Sequence, residues 1–557
     1  MKKLYVPLSF ITLALSPLRA QTHEYLDVNH IKARVDARPI SFYYYPYNSS
    51  GYLLKQQDIS TISNVGDWFS ATVQSNGTIY SSDAYSQKDF APGPMRLDRT
   101  ANDSTFSAAW NRVFSVTKQE IELFRQQFAL GNVQNGTFPV PASITNWPGN
   151  GPAGYSPQLA PYIDVNGDQQ YNPLDGDYPK IKGDQAVWRV LNDISSASRK
   201  FGDAQPMGIE LQQMFYAVMD SNATGNDSLI NYSTFIEYRI INRSLNSYTN
   251  FDVGLVNDYH PDDMPLLSRY TGTCVYNNAI YSFAQPIGSP TLSKKISQSM
   301  MLMSGGNFTH TKYLSGGGIT TYPSSYAQLH NLMNGKWLDG SDMIYINRGL
   351  DEIPACSTAP PARYFMPSDS DPAHIGTGGT DPGFNWQFNK TGCPALSQIS
   401  PAATIPYAVI GDTVLNPGDV FSFDIAYITQ FNDMPGDSAA IDALLSNICQ
   451  NMDPVKDYFD NVIVPAYETF SAEPVAELPQ ITVYPNPAGD VLFLSTGLQK
   501  PAEVQIISIS GQTVKNIAQY TDNTAIDVSA LAPGFYLLKA AYAGQAHTVK
   551  FIKAPKQ

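Results

Sequence analysis

Short runs of alternating apolar and polar residues, rich in Val, Ile, Thr, Tyr and Phe, recur along most of the chain between clusters of Gly, Pro and Asn. A period of two matches the pleat of a strand, so the pattern restricts the chain to a mainly β fold. Runs at 40–45, 235–241, 250–255, 407–410 and 420–428 carry it through the body, residues 21–470, which reads as β-rich and sandwich-like. Helices are few and short. Thr117-Lys-Gln-Glu120 is a capping box, and Ile121, Phe124 and Phe128 mark one face of the helix it starts. A second helix is predicted over 326–333, stopped by Asn334-Gly335, and a third over 438–449 with Ile441, Leu444, Leu445 and Ile448 along one stripe. The length of 557 residues and a hydrophobic fraction of 43% supply enough apolar material for several cores and exclude wholesale disorder.

The first twenty residues read as an export signal. Lys2 and Lys3 precede a short apolar stretch, and Leu18-Arg19-Ala20 puts a small residue before Gln21. The stretch is shorter than the roughly 20 apolar residues a membrane span needs, no Cys follows for a lipid anchor, and no transmembrane helix is predicted elsewhere. Acidic residues outnumber basic ones by 49 to 35, and no Lys/Arg run offers phosphates a counter-charge, so nucleic acid is not an expected partner. Only 15% of residues are charged, against about 25% in soluble domains. The polar surface therefore comes from Asn, Ser, Thr, Gln and 34 tyrosines.

Residues 471–480, rich in Ala, Glu and Pro, read as a linker. Beyond them, seven short apolar runs at 481–484, 491–494, 504–509, 513–517, 525–528, 535–541 and 548–552 predict a small Ig-like β-sandwich over 481–557. Tyr484-Pro485-Asn486-Pro487, the Ser510-Gly511-Gln512 turn, Gly534-Phe-Tyr536 and Lys550 fall in order along it. This set resembles the type A C-terminal sorting domain of the type IX secretion system of Bacteroidota. The resemblance implies Sec export to the periplasm, then passage across the outer membrane by the type IX machinery. It further implies removal of the domain, and release or attachment at the surface, with lipopolysaccharide or polysaccharide as possible partners.

The body also resembles a group of large secreted proteins of the same bacteria, with no settled activity. Leu26-Asp-Val-Asn-His-Ile31, Asp89-Phe-Ala-Pro-Gly-Pro94, Trp110-Asn-Arg-Val-Phe114, Gly176-Asp-Tyr-Pro179 and Leu415-Asn-Pro-Gly418-Asp419 carry that likeness. The loop-like stretch 147–154 divides the body into an N-terminal β-rich region, 21–155, and a second one, 156–470.

One segment carries recognisable chemistry. Asp164, Asn166, Asp168, Asn172 and Asp175 put side-chain oxygens at positions 1, 3, 5, 9 and 12 of a loop, with the Gln170 carbonyl at position 7. A hard cation such as Ca²⁺ takes six to eight oxygens, and this spacing curls them around one point. Gln169 stands where an EF-hand has Gly, Asp175 where it has a bidentate Glu, and Pro173 opposes an exiting helix. The segment thus resembles the isolated Ca²⁺ loops of dockerin and thrombospondin type 3 repeats, and a structural role for the ion is expected. An Asx-rich turn without metal is the plainer alternative. A looser group, Asp252, Asn257, Asp258, Asp262 and Asp263 around His260, reads more readily as a solvated acidic loop.

Four cysteines, Cys274, Cys356, Cys393 and Cys449, permit two disulfides in three pairings. Cys356 with Cys393 closes the shorter loop and leaves Cys449 for Cys274; buried free thiols are the alternative. No H-E-x-x-H, G-x-S-x-G or phosphate-loop motif occurs, and no catalytic residue is singled out. The expected function is that of an exported, Ca²⁺-stabilised, non-enzymatic structural, adhesion or glycan-binding protein. A secreted hydrolase of glycans or peptides is the competing expectation.

Overall fold

In a computed structural model of the chain, the alternating runs of the body pair into two antiparallel sheets stacked face to face. The structure describes residues 22–555 except 45–46, 48, 57, 197–198, 203–204, 260–268, 285–293, 316–317, 345–361, 365, 367–403, 434–445, 470–481, 496–501, 509–511, 522–523 and 543–544. The expected signal segment 1–20, the linker 471–480, Cys356, Cys393, Gly511 and most of the helix expected over 438–449 lie outside these residues; within the last, 446–450 are helical. The chain divides into two compact units, 1–471 and 472–557.

The first sheet of the body runs His23–Leu26, Ile31–Asp36, Tyr52–Leu54, Ile59–Val73, Tyr248–Tyr259, Ile405–Leu415, Phe308–Leu314, with Ile79–Asp83 alongside Ile59–Val73. The second runs Arg269–Cys274, Ala279–Ala284, Lys294–Leu302, Val420–Asp433, Ser233–Asn242, Ile209–Ala217, Gln185–Asn192, and ends on Ala91–Pro92 and Phe114–Thr117. The loop 147–154 therefore lies inside one unit, and strands from both sides of it share each sheet. Among the described residues, the run expected at 40–45 yields the pair Tyr43–Tyr44 with Ser49–Ser50 and an isolated bridge between Ser41 and Val65. Phe42 adopts φ +60°, which breaks the extended run, and its ring is buried in the inter-sheet core.

Register sorts alternate residues of the second sheet to opposite faces. Leu211 and Phe215, Ile236 and Ile240, and Phe423 and Ile425 face the first sheet and form the inter-sheet core with Phe69, Phe251, Val253 and Leu255. Trp188, Met214, Tyr216, Phe235 and Ile428 face the other way. The helix Lys118–Ala129 covers them through Ile121 and Phe124, and the helical segment from Asp453 to Thr469 through Val455, Phe459 and Ile463. A sheet buried on both faces loses the apolar–polar alternation, and every residue of Ile209–Ala217 is buried. On the outer face of the first sheet, the helix Tyr326–Met333 packs Leu329, Leu332 and Met333 on Trp68, Val256 and Tyr407.

The helix starts follow from local chemistry. The Thr117 hydroxyl accepts from Glu120 N at 3.2 Å while the Glu120 carboxylate accepts from Thr117 N at 2.9 Å, pairing two N–H groups that the helix itself leaves unmade. Ser325 caps the helix Tyr326–Met333 by the hydroxyl alone, accepting from Gln328 N at 3.2 Å. The segment Asp453–Thr469 was not expected from the sequence, although Pro454 in its first turn and the four-residue spacing of Val455, Phe459 and Ile463 are helix signals.

The second unit holds two antiparallel sheets. Thr482–Tyr484, Val491–Ser495 and Ala525–Asp527 form one, and Thr513–Tyr520, Ala502–Ser508, Gly534–Tyr542 and Gln545–Lys553 the other. Leu492, Leu494, Val504, Ile506, Ile526, Leu538 and Phe551 fill the core of this small sandwich.

Candidate functional site

The loop expected to hold Ca²⁺ is built by side chains that tie its own backbone. The Asp164 carboxylate accepts from Gly167 N and Gln169 N, each at 2.7 Å. Asn166 Oδ1 accepts from Asp168 N at 3.0 Å, and Asp168 Oδ1 from Gln170 N at 2.7 Å. These bonds wind the chain into successive turns and hold Gln169 at φ +63°, the left-handed conformation that favours glycine. The Gly-for-Gln exchange noted in the sequence is thus a conformational one: Gln169 occupies glycine's geometry.

Asp164, Asp168 and Asp177 bring carboxylate oxygens within 4.8 Å of one another. Asp177 replaces Asp175 as the third carboxylate. Asn172 caps a 3₁₀ turn at Pro173–Asp175, Gly176 follows at φ +103°, and the reversal returns the chain with Asp177 pointing inward. Asp175 is exposed and accepts from Asn172 Nδ2 at 2.6 Å. Asp177 is buried and accepts from Val165 N at 2.9 Å and Asn172 N at 2.8 Å. Burial pushes its carboxyl above the ordinary range, and Asp164 and Asp168 add to the shift. The Gly176-Asp177 pair was a readable signal; a fixed count of twelve residues passed over it. The loop is clamped to its surroundings by Asn150, whose amide pairs with both Tyr171 N (2.8 Å) and Tyr171 O (2.9 Å), and by Tyr171 OH on Ile144 O at 2.6 Å.

Against this loop lies a cleft of about 690 Å³. Asp164, Gln169 and Gln170 line one side, Lys180 and Tyr467 another, and its floor is the outer face of the second sheet at Gln212, Glu237, Arg239 and Val420. On the same face, Lys182 Nζ sits 3.0 Å from Glu237 and 2.9 Å from Asp424. Asp424 also accepts from Tyr216 OH and Ser304 Oγ, both at 2.9 Å. Burial raises the Glu237 carboxyl above its ordinary value, and the Lys182 charge opposes that shift.

The inter-sheet core holds a second polar group of a different kind. Arg189 is fully buried; its Nε donates to Gln213 Oε1 at 2.8 Å, Nη2 to Ser41 Oγ at 2.8 Å, and Nη1 to the carbonyls of Asp36 (2.9 Å) and Arg38. Asp67 accepts from Tyr238 OH at 3.0 Å and from Gln213 Nε2 at 3.4 Å. Burial pushes Asp67 up to about 6, with Arg189 pulling the other way.

The looser acidic group does not assemble among the described residues. Asp252 is buried in a strand and accepts from Asp412 N at 2.7 Å, and Asn257 donates to Leu255 O at 2.8 Å. His260, Asp262 and Asp263 lie outside those residues. A disulfide joins Cys274, at the end of the edge strand Arg269–Cys274, to Cys449, with Cα atoms 5.6 Å apart.

In the second unit the sorting motif organises the strand ends. Tyr484 stacks on Phe493 with centroids 5.6 Å apart, and the Tyr484–Pro485 and Asn486–Pro487 bonds are cis. Asn486 Oδ1 accepts from Ile552 N at 2.9 Å, docking the motif on the last strand. Gly534 opens its strand opposite Lys553. Tyr536 OH donates to Ala532 O at 2.9 Å, its ring stacks on Phe551, and Lys550 lies 4.1 Å over the Phe535 ring.

Residues 482–554 match the family of secretion system C-terminal sorting domains. With this tail the chain is an exported cargo of the type IX secretion system, engaging that machinery and bound for the cell surface or the medium. No helix among the described residues is long and apolar enough to cross a membrane. No curated protein matches the chain. A solved structure titled as a polysaccharide lyase is 10% identical with a TM-score of 0.19, over 66% of this chain and 39% of its own, and so low a score carries no argument.

Proposed function

We propose that the body is a Ca²⁺-stabilised, non-enzymatic protein of the cell surface or medium, working by adhesion, surface structure or glycan binding. In this reading it is exported by Sec through the signal at 1–20, crosses the periplasm, loses its sorting domain, and is attached to surface lipopolysaccharide or released. The observation that supports the calcium reading most is the convergence of Asp164, Asp168 and Asp177 within 4.8 Å. Three carboxylates so close repel one another, and a divalent cation turns that repulsion into a clamp. Asn166 and the Gln170 carbonyl, from the same turns, would complete an oxygen shell, while Asn172 and Asp175 would act by shaping the 3₁₀ turn.

Extracellular modules bind Ca²⁺ at roughly 10⁻⁴–10⁻³ M, so external calcium would stiffen the loop after export and leave it loose before. Millimolar Ca²⁺ is then worth about 1 kcal/mol of stability by mass action. Thermal unfolding of the secreted protein with and without chelator tests this. The melting temperature is expected to fall on chelation, and Asp164→Ala and Asp168→Ala are expected to erase the difference. An unchanged melt in chelator, with both variants as stable as the parent, would remove calcium from the reading.

A further inference from the structure

We infer that the cleft beside the carboxylate loop is a binding site for an anionic saccharide, recognised by hydroxyls together with a carboxylate or sulfate. The inference deepens the reading of the body as a binding protein and rests on it.

Its strongest ground is a pair of unmet hydrogen-bonding atoms set by one buried acid. Glu210 is fully buried, and its Oε1 accepts from Gln212 Nε2 at 2.9 Å and from Arg243 Nη2 at 3.0 Å, while Oε2 accepts from Met95 N at 2.8 Å. Both cleft-lining side chains thus hang from the same oxygen. Taking the amide nitrogen of Gln212 fixes which way that amide points, so the atom left over is the acceptor Oε1. Taking Nη2 of Arg243 leaves the donor Nε. Gln212 Oε1 and Arg243 Nε are both buried without a hydrogen-bond partner among the described residues, although Gln212 is only 2% exposed. Buried polar atoms are nearly always paired, and an orphaned one costs about 1–3 kcal/mol. A free acceptor and a free donor on two cleft-lining side chains held by one carboxylate oxygen match the chemistry of a sugar hydroxyl, which both gives and takes a hydrogen bond.

The charge balance of the cleft names the rest of the ligand. Register places Arg239 directly across from Gln212 on the neighbouring strand, on the same outer face. Lys180, Arg239 and Arg243 bring three cations to the cleft, against Asp164 and Glu237. Arg243 is matched by Glu210, Glu237 and Asp424 share Lys182 on the same face, and Asp164 spends its oxygens on the backbone of its own loop. Lys180 and Arg239 are left with no ion pair among the described residues, and a guanidinium such as that of Arg239 is the side chain best shaped for a carboxylate or sulfate. The Tyr467 ring on the same wall carries the Lys180 ammonium 4.3 Å over its face, which holds that cation at the cleft. A volume of about 690 Å³ is that of a small-ligand site and admits two to three sugar units rather than a folded partner.

Titration calorimetry on the full secreted chain at fixed Ca²⁺ and ionic strength tests the site. The probes are a uronate trisaccharide, a sulfated disaccharide and a neutral cello-oligosaccharide. At least one anionic probe is expected to bind, the neutral probe at least tenfold more weakly; the stronger of the two anionic arms tells carboxylate from sulfate. Arg239→Ala is expected to weaken the anionic probe tenfold or more while leaving thermal unfolding unchanged. Equal binding of the neutral probe, no binding of either anionic one, or an Arg239→Ala variant that binds like the parent would overturn the inference. New reducing ends or unsaturated products in the same cells would overturn the non-enzymatic reading while the site itself stood. A melt insensitive to chelator would remove calcium without touching the saccharide.

Discussion

Gln212 and Gln213 are consecutive residues of one strand, and they live in opposite worlds. Gln213 faces the inter-sheet core, where Arg189, Asp67 and Tyr238 use both ends of its amide or lie within one bond of it. Gln212 faces outward, where Glu210 takes its nitrogen and its oxygen has no partner among the described residues. Both are buried polar amides in the same sheet. The difference is completeness. A closed polar network stabilises and specifies how two sheets stack, whereas a network left open at a cleft is a request for a ligand.

The inner face should be the fragile one. Arg189→Ala removes a buried cation and strips Gln213, Ser41 and the carbonyls of Asp36 and Arg38 of their donor, so a loss of about 3–5 kcal/mol is expected in denaturant unfolding. A loss near zero would mean that the inner network is as incidental as an open one, and the comparison would collapse.

The next effect sharpens it through pH. Asp67 sits at about 6 in the folded protein, above its ordinary value near 3.8. Between those values the folded state keeps a proton that the unfolded chain gives up. Stability from this group is therefore complete below about pH 4 and drains away as pH rises through 6, on the order of 2–3 kcal/mol. Unfolding midpoints measured at pH 4, 5, 6 and 7 should show the decline, and Asp67→Asn should flatten it. A parent profile that is already flat would show that the inner carboxylate is not held as described.

The smallest effect belongs to the loop that walls the outer cleft. Gln169→Gly relieves a left-handed backbone that a Cβ makes costly, and a gain of about 0.5–1 kcal/mol is expected with Ca²⁺ present. A loss instead would mean that the Gln169 side chain, which lines the cleft, contributes more than its backbone costs.

How much of this was legible in the sequence follows from which contacts are local. The capping box at Thr117, the stop at Asn334-Gly335, the Asx turns of 164–170 and the strand-and-turn rhythm of 482–553 are written in neighbouring residues, and they appear as expected. Asp177 was missed because Gly176 reverses the chain after a 3₁₀ turn, so that geometry, not a count along the sequence, selects the third carboxylate. The cleft was not legible at all. Gln212, Arg239 and Arg243 meet only once two strands find their register, and no local pattern states that Glu210 will take one end of Gln212 and of Arg243. The alternation itself was blurred where it mattered most, since the strands of the second sheet are covered on both faces.

The disulfide between Cys274 and Cys449 has a bearing on life outside the cell. The two residues are 175 apart, so the bridge encloses the long excursion that leaves the second sheet, adds Phe308–Leu314 and Ile405–Leu415 to the first, and returns along Val420–Asp433. A single proteolytic cut anywhere in that span would open the backbone without freeing a fragment. The nicked chain would run as one band without reductant and as two with it. Among the proteases of a bacterial surface, such a body could be cleaved and still keep both of its sheets together.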